Sequence, residues 1–212
     1  NFTLKDVSFE LLGTGKQRIF LGSLEGNEFT ITIRDLEKKL SPVKEVINYF
    51  GEQRFSEKNA LIGKMLVKKQ FKEACKELGL EATQNDYVGA LKRLGKERLK
   101  LYIHAYQSEL WNILAKKSKK KVIPIIGYLT EGKEYDVILK EEGITKEDFI
   151  LRSIPEIASE GGERKRIIQV QNFKTLSCTQ DELHSEKKKQ VISFYLEKGA
   201  YATTVLEALR KL

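Results

Sequence analysis

The sequence predicts an α+β fold, and three observations predict it. Residues 29–34 alternate strictly, with Phe29, Ile31 and Ile33 on one face and Thr30, Thr32 and Arg34 on the other, the pattern of a half-buried strand. Leu99, Ile103, Tyr106, Leu110 and Leu114 recur at helical spacing, which marks one buried helix face. From Val122 onward the pattern shortens to strand-like pieces separated by glycines. The alternation of helical and strand-like segments suggests an α+β arrangement.

The elements follow in chain order. Residues 17–21 lean apolar and read as a strand, and Gly22 and Gly26 bracket the link to the 29–34 run, so a hairpin is expected between the two. A helical section follows Gly51, carried by Leu61, Met65, Phe71, Ala74 and Leu78, with Gly79 as its stop. A helix from about Gln84 ends near Gly95. The helix through 99–114 runs into the basic stretch 116–121, where cations complement the carbonyl end of the helix dipole. Residues 122–129, 135–139 and 164–170 read as short strands. Residues 190–196, rich in β-branched and aromatic side chains, read as a longer one. Residues 203–211 close the chain as a helix.

Composition narrows the function. The 212 residues are 41% hydrophobic and 32% charged with only three prolines, which excludes a disordered or collagen-like chain. The net charge of +8 suits a polyanionic partner. Cys75 and Cys178 form no CxxC pair, so neither a thiolate zinc site nor a disulfide framework is expected, and a reducing, cytoplasmic compartment follows. No apolar stretch is long enough to span a bilayer, and no signal peptide is recognisable. The chain opens at Asn1 rather than Met, so a segment upstream is expected. His104 and His184 lack metal-ligand spacing, and there is no Walker loop, nucleophile elbow or HExxH motif. Lys38-Lys39, the 116–121 run with Lys119, Lys120 and Lys121, and Lys187-Lys188-Lys189 suit nucleic-acid phosphates, or else decorate a solvated face.

Three short segments combine glycine, aromatic and amide residues. The most unusual is Asn48-Tyr49-Phe50-Gly51-Glu52-Gln53-Arg54-Phe55. Its aromatics either fill a core at a helix start or present rings and amides to RNA bases. The same two readings apply to Gly26-Asn27-Glu28-Phe29 and to Lys198-Gly199-Ala200-Tyr201-Ala202-Thr203.

Taken in order, these segments resemble the TruD family of tRNA pseudouridine synthases. The stretch from Gly22 to Arg34 is similar to that family's G-x-x-x-G-N-x-F…R strand, and residues 48–55 to its NYFGxQRFG signature, with Ser56 in place of the last glycine. His104-Ala105-Tyr106-Gln107-Ser108-Glu109-Leu110-Trp111-Asn112 resembles its SAYQSxLFN helix, and residues 198–203 resemble its GS[FY]AT motif, with Ala200 for serine. The resemblance implies a pseudouridine synthase catalytic domain with a mixed or antiparallel sheet, interrupted by a TruD-type α+β insertion. Residues 1–47 and 188–212 would form part of the catalytic domain and 48–187 the insertion. It implies isomerisation of uridine, chiefly uridine 13 of the tRNA D arm, with no cofactor and no metal, and tRNA or another RNA as partner. Asn27, Phe29 and Tyr201 would line the uridine pocket. Arg34, Gln53, Arg54, Lys119, Lys120 and Lys121 would bind RNA or order the site. For Phe29 the residues leave a second reading, a core position beside Ile31 and Ile33.

One family element is missing. The nucleophilic aspartate belongs to a GxKDxxAxTxQ segment, and residues 1–21 contain no match. Lys5-Asp6 lacks the following Ala, Thr and Gln, and reads as an exposed turn. The resemblance therefore implies no catalytic residue within the chain, a nucleophile upstream of residue 1, and weak RNA binding without turnover by these 212 residues alone. The alternative function is a non-catalytic RNA-binding protein that keeps the scaffold.

Overall fold

The computed structural model describes residues 2–4, 7–11, 13–16, 18, 20 and 23–211. The expected strand at 17–21, and Lys5, Asp6 and Gly22, lie wholly or largely outside them. The strands β1 (Phe2–Leu4) and β2 (Val7–Phe9) pair antiparallel. Next comes β3 (Gly26–Leu36), an eleven-residue strand that covers the alternating run. Its partner among the described residues is the late strand β9, introduced below.

A short strand, β4 (Glu45–Ile47), leads into the helical part. There α1 (Glu52–Phe55), α2 (Asn59–Val67), α3 (Phe71–Glu77) and α4 (Tyr87–Lys92) precede the 22-residue α5 (Lys96–Lys117). The α5 stripe falls as its periodicity demands: Leu99, Ile103, Tyr106, Leu110 and Leu114 are all buried. α2 packs closely on α5 at Gly63, where a Cβ would lie 2.0 Å from the Tyr102 carbonyl oxygen. Only a residue without a side chain permits that approach.

After α5 come β5 (Val122–Ile125), α6 (Asp136–Glu142), β6 (Gly162–Lys165), β7 (Ile167–Gln169), β8 (Gln171–Gln180), β9 (Lys188–Glu197) and α7 (Ala202–Arg210). The strand expected at 135–139 is a helix, α6. Its buried residues, Ile138 and Leu139, are adjacent while Val137 is exposed, so the segment buries a helical stripe rather than alternate positions. Gly143 closes it in the left-handed region at φ 63°. β8 is a strand that the sequence reading leaves unassigned, because its inward positions Phe173, Thr175 and Ser177 are mostly polar.

All described strand pairs are antiparallel. The main sheet has the order β3-β9-β8. Phe29 stands opposite Phe194 and Ile31 opposite Ile192. β4 pairs with β7, and β5 with β6. Two apolar clusters result. One gathers α2 to α6 around Trp111, Tyr106 and Phe149. The other lies between the sheet and α7 around Phe194, Ile192 and Val205. Ile168, Val170 and Phe173 pack in this second cluster, so residues 167–180 sit with the sheet rather than with the helices before them. No helix among the described residues is long and apolar enough to cross a membrane.

The turn between β8 and β9 is tied to the end of β3 by Asp181, which is 1% exposed. Its carboxylate accepts from Arg34 Nη1 at 2.7 Å, from the Asp35 backbone N–H at 3.0 Å and from the Leu183 N–H at 3.0 Å. Burial alone would raise its pKa, but the two backbone N–H groups and Arg34 outweigh it and hold the carboxyl at about 2. The unfolded carboxyl titrates near 3.9. The folded value is the lower one, so this carboxylate stabilises the fold in full above about pH 4, and the contribution is lost as pH falls from about 4 to about 2. Asp181→Asn is expected to destabilise the protein at neutral pH and to flatten the acid limb. In urea unfolding followed from pH 6 to pH 2, the variant and the parent should converge towards pH 2.

Candidate functional site at the junction of the two clusters

The chain crosses from the sheet to the helices once, at residues 48–50, and returns at 164–167. The two crossings are bonded to each other. The Asn48 N–H donates to the Arg166 carbonyl at 2.7 Å. Asn48 Nδ2 donates to the Lys165 carbonyl at 3.2 Å. Arg164 donates to the Asn48 carbonyl from Nε at 3.2 Å and Nη2 at 3.0 Å, and from Nη2 to Asn48 Oδ1 at 2.9 Å. Two residues on, the Asn112 side chain takes the place of a neighbouring strand: its Nδ2 donates to the Phe50 carbonyl at 3.0 Å, and its Oδ1 accepts from the Phe50 N–H at 2.9 Å.

Around this crossing an aromatic wall faces two arginines. Phe50 meets Trp111 edge-on at 5.5 Å between centroids. The Arg164 guanidinium carbon lies 4.0 Å from the Phe50 centroid, 5.3 Å from Trp111 and 5.8 Å from Tyr201, within cation–π range of all three rings. The Arg54 guanidinium carbon is 5.9 Å from the same Phe50 ring, and its Nε donates to Ser108 Oγ at 3.4 Å. Burial lowers the Arg164 pKa from its ordinary value to about 10, and the neighbouring Arg54 charge pushes the same way. The group stays protonated at neutral pH. The pKa of His104, on the same stretch of α5, is pushed down by burial and then by the positive charges of Arg54 and Lys100.

The expected site residues divide into three groups. Gln53, Arg54 and Tyr201 come together here. Gln53 and Tyr201 line one cavity of about 640 Å³ with Gly51, Thr203, Leu206 and Arg210 among its walls. Asn27 and Phe29 stand at the end of the sheet from which the chain turns towards Tyr201. Gly26 pairs with Glu197, the Lys198 N–H donates to the Glu25 carbonyl, and Tyr201 follows as the residue that opens α7. Gly26 has no room for a side chain, since a Cβ would lie 2.4 Å from the Leu196 carbonyl oxygen. Asn27 is exposed. Phe29 is half-buried, tilted on Phe194 at 5.6 Å, and packs on the sheet cluster, whereas Tyr201 packs on the helical one. Arg34 lies apart from both groups, bonded to Asp181 and Glu182. Lys119, Lys120 and Lys121 are exposed beyond α5. Lys120 pairs with Glu134, and its carbonyl accepts from Arg166 Nε.

Arg164 is the residue that the sequence did not single out. It sits in a strand-like run beside Lys165 and Arg166, and nothing in that run separates the three. Only the tertiary stack on Phe50 and Trp111 does.

The comparisons agree with this architecture. The model of the family described as tRNA pseudouridine synthase D (TruD) matches residues 1–82 and 120–209. A relative from Methanosarcina acetivorans described as a tRNA pseudouridine synthase D is 26% identical over 325 aligned residues, covering 99% of this chain and 73% of its own length. A second, from Methanocaldococcus jannaschii, is 27% identical over 300, covering 95% and 70%. A crystal structure from Methanosarcina mazei, titled as a tRNA pseudouridine synthase D, superposes with a TM-score of 0.79 at 25% identity, over 100% of this chain and 74% of that one. The Methanosarcina acetivorans alignment is more than a hundred positions longer than this chain, so the relative carries internal segments with no counterpart here.

Among the described residues, the Asn112 side chain is the one partner of the Phe50 N–H and carbonyl. Asn112→Ala is expected to strand both in a largely buried position and to cost about 2–4 kcal/mol. Urea unfolding measures it. Asn112→Asp keeps the acceptor but not the donor, and should fall between the two.

Proposed function

The chain belongs to the TruD family of tRNA pseudouridine synthases, and on that premise we propose that it converts uridine 13 in the D arm of tRNA to pseudouridine. It is an RNA-modifying isomerase by that membership. The observation that supports the site assignment is the junction itself, where Gln53 and Tyr201 line one cavity, Arg54 lies over the Phe50 ring, and β9, paired with the start of β3, leads into Tyr201.

The reaction breaks a C–N glycosidic bond, turns the freed uracil and joins it to the ribose by a C–C bond. No atom enters or leaves, so no redox group or activated donor is required. The target base has to leave its stack, which costs a few kcal/mol, and needs a pocket that repays part of that cost. Tyr201 and Phe29 are proposed to stack on the extruded uracil, each ring contributing about 1–3 kcal/mol. The Asn27 amide, exposed at the start of β3, is suited to the uracil edge or to orienting a carboxylate. None of the three supplies the nucleophilic carboxylate, which in this family belongs to the GxKDxxAxTxQ segment. Gln53 and Arg54 are proposed to hold the RNA beside the pocket. The exposed Lys119 and Lys121, with Lys120, are proposed to meet phosphates further along, and Arg34 to act indirectly by fixing the end of β3.

The insertion is proposed to run from 48 to 166 rather than to 187. β7 pairs with β4, and β8 lies along β9, which groups both with the catalytic sheet.

Two measurements test the reading on the full-length enzyme. A tRNA transcript should gain one pseudouridine, and a transcript carrying cytidine in place of uridine 13 should gain none. Product at another uridine would overturn the target. Tyr201→Ala should slow single-turnover isomerisation about tenfold or more, the size of one lost stack, with a thermal midpoint within a few degrees of the parent. Normal chemistry in a markedly destabilised variant would make Tyr201 a core residue instead.

A further inference from the structure

We propose that Arg164 and Arg54 together form a phosphodiester-binding site on the Phe50 ring, which grips one backbone phosphate of the RNA beside the uridine pocket. The proposal rests on the reading above that the substrate is tRNA.

Charge balance is the first ground. Some cationic side chains, among them Arg34, Lys58, Lys64, Lys69 and Lys165, meet a carboxylate, and many exposed lysines meet none, but Arg164 is only half-exposed and lies on an aromatic ring. Arg54 and Arg164 make no ion pair among the described residues. Their guanidinium carbons lie 5.9 and 4.0 Å from one ring centroid, so they are at most about 10 Å apart and repel one another. A protein that holds two like charges against a buried aromatic wall carries an electrostatic cost that a bound anion removes, and the apolar backing strengthens the attraction to that anion.

Donor geometry is the second. Arg164 commits Nε and Nη2 to Asn48. Its Nη1 keeps two N–H groups without a protein acceptor. That nitrogen is not fully buried, since Trp111 Nε1 is the only fully buried side-chain polar atom without a partner among the described residues. The stack on Phe50 and the bonds to Asn48 fix the plane of the guanidinium, so its free edge is pre-oriented. Arg54 spends only Nε, on a long 3.4 Å contact, and keeps both terminal nitrogens. A phosphate offers several acceptor oxygens around one centre and can accept from both guanidinium edges, which a planar carboxylate does less well.

Position is the third. Arg164 lies 5.8 Å from the Tyr201 ring, and Tyr201 lines the 640 Å³ cavity with Gln53. A phosphate held at Phe50 therefore belongs to a nucleotide at or next to the one in the pocket. Gripping it would hold the strand while the base is turned out, so the site is a positioning device for the reaction.

The test is binding of an unmodified tRNA transcript to the full-length enzyme by filter retention, as a function of salt, for the parent, Arg54→Gln, Arg164→Gln, Arg164→Lys and the Arg54→Gln/Arg164→Gln double variant. Each phosphate contact contributes about 0.7–0.9 to the log–log salt slope. Each single glutamine variant should bind about tenfold more weakly at low salt. Arg164→Gln should lower the slope by about one contact. Because both arginines serve one phosphate, the double variant should lose no more slope than the single one. Arg164→Lys keeps the charge but not the fixed edge, and should recover slope without full affinity.

Arg54→Gln loses only the long bond to Ser108 and the distant ring contact with Phe50 and should keep a thermal midpoint close to the parent's, so it decides the matter if Arg164→Gln misfolds. Parent-like affinity and slope in a folded Arg54→Gln protein would overturn the site while leaving the function intact. A parent enzyme that fails to bind tRNA would overturn the function, and the site with it. Weakened binding of poly-glutamate with unchanged binding of tRNA would assign the pair to an acidic protein and overturn the proposal.

Discussion

The structure depends on the Asn48–Arg164 contact and what surrounds it. The polypeptide leaves the sheet at Ile47, builds a helical body of more than a hundred residues, and returns at Ile167. A body attached by two strands of chain would swing unless both were fixed. Here the outgoing and incoming strands clasp each other through the Asn48 backbone and amide, the Arg164 fork and the Arg166 carbonyl. The guanidinium does two things at once. It satisfies a carbonyl that the β4–β7 ladder ends too early to pair, and it spreads over Phe50, Trp111 and Tyr201, which come from three separate segments. A lysine would supply the charge but not the plane.

The long helix α5 carries the other half of the joint. Its segment from Tyr106 to Asn112 places one anchor after another. Tyr106 Oη donates to Glu142 at 2.7 Å. The Gln107 amide, buried, donates to the Ile126 carbonyl and accepts from Ser159 Oγ. Ser108 Oγ bonds to the His104 carbonyl at 2.6 Å and receives Arg54. Trp111 and Asn112 then meet Phe50. The polar groups of Tyr106, Gln107, Ser108 and Asn112 lie in the core because each has a partner there, and a partner lost would leave a buried group unsatisfied. The motif that looks like an RNA-contacting surface in the sequence is, in its greater part, the scaffold that sets the junction.

Charge is sorted by the same logic. The β8–β9 turn and the end of β3 share a closed network of Arg34, Asp181, Glu182 and Lys189, in which each charge has an opposite. The junction has two arginines and no acid bonded to them. The first arrangement holds a loop in place. The second leaves two positive charges without a carboxylate, and Arg164 lies 5.8 Å from Tyr201, which lines the neighbouring cavity.

The sequence by itself determined the family, the α+β class, the α5 helix, strands β3 and β9, and helix α7, and it singled out the segments carrying Gln53, Arg54 and Tyr201, which the fold brings to one junction. These are readable because their periodicity repeats over many residues, or because several motifs appear in one order. Shorter or more polar elements were not. Residues 135–139 have the β-branched content of a strand, yet bury two adjacent side chains and close on Gly143 as a helix. β8 hides its alternation behind threonine and serine, and its place beside β9 sets which core residues 167–180 join. That pairing rests on contacts between distant parts of the chain, which a local pattern does not encode. Arg164 is the clearest case. In sequence it is one of three basic residues in a row, and a charge run carries no record of which member meets an aromatic ring. Only the tertiary structure, by bringing Phe50, Trp111 and Tyr201 around one guanidinium, decides that it is Arg164.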